Sequence, residues 1–420
     1  MKILKSPISV HYELTENCNH RCEHCYNPFA HISEEVPKLT RDRIIEELVQ
    51  NEVFHVILTG GEPLFYQDMA VDAVKRLNKN GAVVSLNSNL TLMDRNTAVS
   101  LKKAGLKSAL TSITHYDPNI HDKITKIDGS LERCISGINY LVNQEIPVSV
   151  NMVVTKDRVD DVYKTGEMLV DLGITGFSAT RMAPNRDNLK EILDAQEVKH
   201  MLDQLLLLKE KYGINVSSLN NLPRCFSSDK KYGIFMNRSC NGGRTSATIT
   251  QIGGLKSCHH LDEVVGNIIE EGLSTVWEKA PVLKDERLPK GCLACDVNEN
   301  CAGGCRQTAE VVRNKKTGLD PIARGKEQII TLDPPELPNK DSTLRFMKDT
   351  LYRKEKNGGV LFRNPRNYAI LNESQYQLAL KLSNNSFSIN ELKDLFGNEL
   401  SSFMERLYQK GLIGEAKWKN

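Results

Sequence analysis

The chain has 420 residues, with 55 Lys plus Arg against 53 Asp plus Glu and a formal net charge of +2. That balance argues against a molecule-wide field for nucleic acid or membrane, and no apolar run approaches the ~18 residues a membrane helix needs. Hydrophobic residues at 40% and charged residues at 26% are ordinary for a globular protein, and the length predicts two or three domains.

Met1-Lys2-Ile3-Leu4-Lys5 opens no long apolar stretch, so no signal peptide is expected. A cytoplasmic location with reduced thiols follows as an expectation. The chain nevertheless carries 11 cysteines. Reduced cysteines in such number point to metal ligation or catalysis rather than to disulfides. They cluster as Cys18, Cys22 and Cys25, then as Cys225, Cys240, Cys258, Cys292, Cys295, Cys301 and Cys305. Cys134 stands alone in a helix-period segment and reads as a small buried hydrophobe.

From the N-terminus, short apolar strands alternate with helix-period segments. Strands are expected at 8–14, 54–58, 82–87, 108–113, 148–154 and 176–180. Runs such as Val56-Ile57-Leu58 are apolar on both faces, as in parallel strands covered by helices. Val71, Val74 and Leu77 form one helical stripe ending at Gly81, and Val159, Val162, Tyr163 and Leu169 another ending at Gly173. Six βα units imply a parallel sheet, in a partial (β/α)6 barrel or an open fold, with chemistry at the C-terminal strand ends. A helix is expected over 188–212, stopped by Gly213.

Cys18-x3-Cys22-x2-Cys25 follows the first strand on a loop. Three thiolates can hold three irons of a [4Fe–4S] cluster and leave the fourth open. Zinc, with His20 or His24 as a fourth ligand, is the plainer alternative. The second strand ends in Thr59-Gly60-Gly61-Glu62-Pro63. Two glycines permit close backbone approach, Glu62 can accept from an ammonium group, and Pro63 restricts the turn. Together the two motifs resemble the radical SAM superfamily, over roughly residues 8–185. The resemblance implies that Cys18, Cys22 and Cys25 hold the cluster and that S-adenosylmethionine (SAM) chelates the open iron. It implies that the Gly60-Gly61-Glu62-Pro63 turn contacts the methionine amino group, and that Tyr26 lies near adenine. Ser88, Ser112, Asn151 and Arg181, at or near later strand ends, are implied contacts to ribose or methionine. Ordinary turn chemistry is the alternative for such residues.

The second group reads Cys240-x12-Gly253-x4-Cys258, then Cys292-x2-Cys295-x5-Cys301-x3-Cys305. A zinc ribbon is one reading. The spacing also resembles the SPASM domain of radical SAM maturases, which implies two auxiliary [4Fe–4S] clusters. By that resemblance Cys225, Cys240, Cys258 and Cys305 hold the first, and Cys292, Cys295 and Cys301 the second. The cysteine expected later, in an Asp-Pro-x-Cys stretch, is Ala323 here. The second cluster is therefore expected to have an open iron or a substitute ligand such as Asp320. His259 stands where sulfatase-maturing relatives carry Asp, which points away from that activity.

Residues 350–371 alternate as three strands, with turns at Gly358-Gly359 and Asn364-Pro365. Helices are expected at 373–382, at 389–396 with a Ser388/Glu391 capping box, and at 400–409 before Gly411. This winged-helix pattern resembles the RiPP recognition element, over roughly 345–415. The resemblance implies a leader peptide added as an extra strand, with Tyr368, Ile370, Phe403 and Leu407 as contacts. Core packing is the alternative for each.

The expected layout is a radical SAM partial barrel at 1–215, a SPASM domain at 216–320, a linker at 321–344 and a recognition element at 345–420. The expected function is modification of a ribosomal precursor peptide by hydrogen abstraction with the 5′-deoxyadenosyl radical, forming a thioether or carbon–carbon crosslink. Peptide epimerisation and cofactor or porphyrin maturation are alternatives, and a non-catalytic zinc-ribbon binding protein is one of another class. Expected cofactors are SAM and three [4Fe–4S] clusters, with a flavodoxin- or ferredoxin-type electron donor.

Overall fold

The structure is a computed structural model that describes residues 4–27, 34–236, 238–325, 329, 342–388, 390, 392 and 398–415. The chain forms two units, one of Ser9–Thr331 and one of Met1–Ile8 with Leu332–Asn420.

In the larger unit β1 (Ser9–Thr15), β2 (His55–Gly60), β3 (Val83–Asn87), β4 (Ser108–Ser112), β5 (Val148–Val154) and β6 (Gly176–Arg181) pair in parallel and in chain order. Alternation divides β1: Val10, Tyr12 and Leu14 share one face and are at most 1% exposed, while Ser9, His11 and Glu13 share the other. The polar face is tied across strands near its N-terminal end. Ser9 Oγ meets His55 Nδ1 at 3.0 Å, His55 Nε2 meets Ser85 Oγ at 3.0 Å, and Ser85 Oγ meets Ser108 Oγ at 3.1 Å.

Helices return the chain between strands: α1 (Lys38–Gln50), α2 (Gln67–Lys79), α3 (Arg95–Ala104), α4 (Pro118–Thr125), α5 (Ser130–Val142) and α6 (Val162–Leu169). Ala70, Ala73, Val74 and Leu77 form the buried stripe of α2. Asp94 caps α3 by accepting from Thr97 N at 2.7 Å, and Gly105 ends it at φ 95°. Cys134 is buried in α5, 3.4 Å from Thr111 Oγ1. The helix expected over 188–212 starts late: α7 is Ala195–Tyr212, because Asp194 and Glu197 form a capping box, and only one short turn (Leu189–Glu191) precedes it.

The sheet is wider than six strands. β7 (Val216–Ser217) pairs parallel with β6, and β8 (Ser246–Ile249) pairs parallel with β1. β9 (Gly254–Lys256) and β10 (Val264–Asn267) continue antiparallel, giving a ten-stranded mixed sheet. These strands run two to four residues, too short for alternation to show in sequence. The cysteine-rich stretch thus shares the sheet of the βα units, and Cys258 comes just after β9.

The smaller unit holds β11 (Leu344–Phe346), β12 (Leu351–Glu355), β13 (Gly358–Asn364), β14 (Asn367–Asn372), α8 (Glu373–Leu382), α9 (Asn398–Gln409) and β15 (Ile413–Glu415). β12, β13 and β14 form an antiparallel meander with β14 at an edge, and β11 pairs with β15. Asn372 and Gln375 make a capping box at the start of α8. Leu361, Ala369, Leu371, Tyr376, Phe403 and Leu407 lie in one apolar core. On the other face of β12, buried Arg353 donates to Ser6 Oγ (2.7 Å), Ser6 O (2.8 Å), Pro7 O (3.1 Å) and Glu355 Oε1 (2.7 Å). Lys5 N donates to Glu355 Oε2 at 2.7 Å. The first residues therefore fold with the tail, although in sequence they adjoin the barrel; a buried guanidinium requires such partners. The helix expected at 389–396 and the linker expected at 321–344 both fall largely outside the described residues, and the last residue of that linker, Leu344, begins β11.

Candidate active site

The cysteine loop leaves the C-terminal end of β1 and packs against the turn after β2. Gly61 N donates to Thr15 O and Glu62 N to Asn17 O, both at 2.7 Å. A Cβ on Gly61 would stand 2.3 Å from Asn17 O, and one on Gly60 2.2 Å from Thr15 O. The glycines are therefore required by the loop's approach to the turn. Arg21 N and Glu23 N donate to Thr125 O and Ile124 O, at 3.1 Å each, which seats the loop on the end of α4. Cys25 N closes a turn onto Cys22 O at 3.1 Å. His20 lies inside this loop: its N–H meets Cys18 Sγ at 3.4 Å, Nδ1 is 3.9 Å from Cys22 Sγ, and Nε2 is 3.3 Å from Thr91 Oγ1.

Glu62 is 1% exposed and takes three hydrogen bonds. Oε1 accepts from Leu64 N (2.8 Å) and Ser88 Oγ (2.7 Å), and Oε2 accepts from Asn89 N (2.7 Å). One acceptor position is left on Oε2. Burial pushes its carboxyl up to about 7 against these bonds, which act the other way. Ser88 thus serves Glu62 directly, and the turns after β2 and β3 are one hydrogen-bonded unit. Asn89 extends it, since its Nδ2 donates to Asn19 Oδ1 at 2.9 Å inside the cysteine loop.

Ser112 ends β4 exposed, and its register partner on β5 is Asn151. Asn151 Oδ1 accepts from Ser178 Oγ (2.9 Å) and Thr180 Oγ1 (2.6 Å), so this end of the side chain binds β6. Arg181 departs from its expected role as a cofactor contact. Its Nη1 and Nη2 donate to Asp320 Oδ1 (2.9 Å) and Oδ2 (2.6 Å), and only its Nε has no partner. Asp320 also accepts from Ile322 N on Oδ1 and Cys305 N on Oδ2. Two oxygens offer about four lone-pair positions, and all are occupied. Asp320 is therefore not a substitute iron ligand; it anchors the chain after Cys305 to the end of β6.

Tyr26 is 39% exposed and meets His260 edge-on at 4.4 Å and His259 at 5.3 Å between ring centres. His259 also stacks on His11 at 4.7 Å. Burial pushes His11 and His260 down to about 4, so both rings are neutral at pH 7. Lys256 Nζ donates to Glu13 Oε1 at 2.9 Å in a buried pair. A cleft of about 550 Å³ opens beside Tyr26 and His260, lined also by Arg186, Asp262, Gln307 and Lys315. Sequence reasoning noted His259 only as a departure and missed His11, Glu13 and Lys256. The available signal was polar residues at alternate positions of a strand that is otherwise apolar.

Several features suit iron–sulfur clusters. Burial raises the Cys18 and Cys22 thiols to about 11 and about 12, and Cys240 and Cys258 likewise to about 11 and about 12. Such thiols ionise when metal binds. Arg224 Nε and Ser239 Oγ, each next to a cysteine, are buried donors without a partner, as donors toward cluster sulfur would be in the bare chain. Among the described residues no three His, Cys, Asp or Glu side chains converge on a single-ion site. A cubane asks for less convergence, since each thiolate binds its own iron.

Residues 12–169 match the family model of the Radical SAM superfamily. An AdoMet-dependent heme synthase of Methanosarcina barkeri is 27% identical over 326 residues, covering 72% of this chain and 92% of that protein. A PqqA peptide cyclase of Rhizobium meliloti is 24% identical over 333 residues, covering 75% and 86%. SuiB of Streptococcus suis, crystallised with the precursor peptide SuiA, superposes with a TM-score of 0.61 at 17% identity, covering 76% of each chain. The matched segment contains both the cysteine loop and the Gly60-Gly61-Glu62-Pro63 turn, which sets aside zinc at Cys18, Cys22 and Cys25 and the non-catalytic alternative: the protein is a radical SAM enzyme, with SAM and a [4Fe–4S] cluster as its cofactors.

Proposed function

We propose that the protein modifies a ribosomally made precursor peptide, holding the leader on its smaller unit and forming a thioether or carbon–carbon crosslink in the core. The observation that carries this is the open edge of β14. Among the described residues β14 pairs only with β13, so its outer backbone is available for strand addition. Tyr368 and Ile370 stand half-exposed on one face of it. Phe403 and Leu407, 4% and 0% exposed, belong to the core of the unit and are withdrawn as leader contacts. The unit would then be a RiPP recognition element, and SuiB with its bound SuiA peptide and the PqqA peptide cyclase support that reading.

In this reading Cys18, Cys22 and Cys25 hold the SAM cluster. Glu62 offers its remaining lone pair to the methionine amino group, and Tyr26 borders the adenine. Bound SAM and its cluster, reduced by a flavodoxin- or ferredoxin-type donor, supply the abstraction of a substrate hydrogen atom. The cysteines of the SPASM-type segment would hold two auxiliary clusters, which would supply an acceptor for the one electron released, together with a proton, as the crosslink closes. The test is co-expression with a short neighbouring reading frame and mass analysis of the peptide. Loss of two hydrogen atoms supports a crosslink; unchanged mass with an inverted residue shifts the chemistry to epimerisation. An unmodified peptide alongside active 5′-deoxyadenosine release overturns the reading.

The Methanosarcina relative favours a second reading, maturation of a porphyrin. It predicts SAM turnover coupled to a porphyrin substrate and unaffected by loss of residues 345–420.

A further inference from the structure

The segment ending in Cys225 lies across the loop that carries Cys301. Asn221 Nδ2 donates to Gly304 O at 2.9 Å and to Cys301 O at 3.4 Å, and Arg224 N donates to Cys301 Sγ at 3.3 Å. On its other side Cys225 O accepts from Arg324 N at 3.2 Å. Cys225 is therefore held between the Cys301 loop and the residue that follows Ala323.

We propose that Cys225 is the fourth thiolate of the cluster held by Cys292, Cys295 and Cys301, supplying from upstream the ligand that Ala323 cannot. The inference rests on the reading of this segment as a two-cluster domain. It reassigns Cys225, which spacing alone had grouped with Cys240, Cys258 and Cys305. Asp320 does not compete for the position, because its four acceptor positions are taken by Arg181, Ile322 N and Cys305 N. Arg224 also keeps a buried Nε–H without an acceptor beside Cys225, which suits an anionic cluster there.

The consequence is that the iron without a cysteine changes cluster. The set Cys240, Cys258 and Cys305 is left one thiolate short. Cys258 is followed by His259, whose ring meets Tyr26, the neighbour of Cys25. The open iron would thus belong to the auxiliary cluster whose loop touches the SAM-cluster loop, where a substrate or a small anion can reach it.

The test uses the full chain with Cys18, Cys22 and Cys25 all changed to Ala, so that only auxiliary clusters remain. Prepared anaerobically, this parent should bind about eight irons. A parent without iron and sulfide would end the two-cluster reading itself. In this background C292A and C258A mark the electron paramagnetic resonance signals of the two reduced clusters. C225A should shift or abolish the signal that C292A marks, and leave the signal that C258A marks unchanged. C225A combined with A323C should restore the first, because residue 323 lies beside the Cys225 backbone. Cys225→Ser, which keeps an oxygen ligand, should retain the cluster with a shifted signal and covers the case in which C225A misfolds. C225A that removes the C258A signal, or that leaves both signals and the iron count unchanged, overturns the proposal.

Discussion

Arg181 holds Asp320 by two parallel hydrogen bonds, and both side chains are buried, at 3% and 0% exposure. The pair joins the end of β6 to a point 15 residues beyond Cys305. A buried pair contributes little net stability when intact, but removing one member leaves an uncompensated charge and costs about 3–5 kcal/mol.

Asp320→Ala should therefore lower the denaturant midpoint while leaving iron and sulfide per folded chain unchanged. Loss of one cluster's signal in a protein of unchanged stability would restore Asp320 as a ligand. Replacing both members by apolar residues, as in Arg181→Met with Asp320→Leu, should recover much of the lost stability.

Gly61→Ala tests the seating of the turn on the cysteine loop. Its Cβ would meet Asn17 O at 2.3 Å, a backbone atom that cannot swing away. The variant should bind less SAM and hold its SAM cluster poorly, read by iron content and 5′-deoxyadenosine release. The auxiliary irons should stay.

Glu62→Gln replaces one acceptor oxygen by a donor amide where three N–H or O–H groups already point inward. It should weaken SAM binding by at least tenfold and lower stability by about 1–3 kcal/mol for the donor left unpaired. Ser88→Ala removes one of the three bonds and should lower stability by only about 1 kcal/mol. Equal effects of the two substitutions would contradict the assigned geometry.

His55 predicts a pH dependence. Burial, then His11, lowers it from 6.5 unfolded to about 3 folded. Between these values the unfolded chain binds a proton that the folded chain does not, so stability is lost as pH falls below 6.5. Its contribution should drop by about 2 kcal/mol from pH 7.5 to pH 5. His55→Asn should start less stable at pH 7.5, having lost bonds to Ser9 and Ser85, yet close on the parent toward pH 5. Parallel stability curves for the two proteins would refute this.

Ile370→Asp and Phe403→Ala separate surface from core in the smaller unit. The first should abolish leader-peptide binding in titration with little change in melting. The second should destabilise the unit by about 3–5 kcal/mol through a cavity. Tight leader binding by Ile370→Asp would remove β14 as the docking edge.

The sequence by itself determined the six βα units and the cofactor chemistry of the cysteine loop. Both are carried by local signals: apolar runs, glycine stops, and cysteines whose spacing places their thiolates within one loop. It did not determine which distant cysteines share a cluster, because spacing constrains neighbours in the chain and not neighbours in space. Only the tertiary structure set Cys225 against the Cys301 loop and occupied Asp320 with Arg181. Only it brought Lys256 onto Glu13 through the short strands β8 and β9, and drew the first residues of the chain under Arg353. Each of these is a contact between segments far apart in sequence. The burial of a charge or a thiol becomes visible only when the second segment is in place.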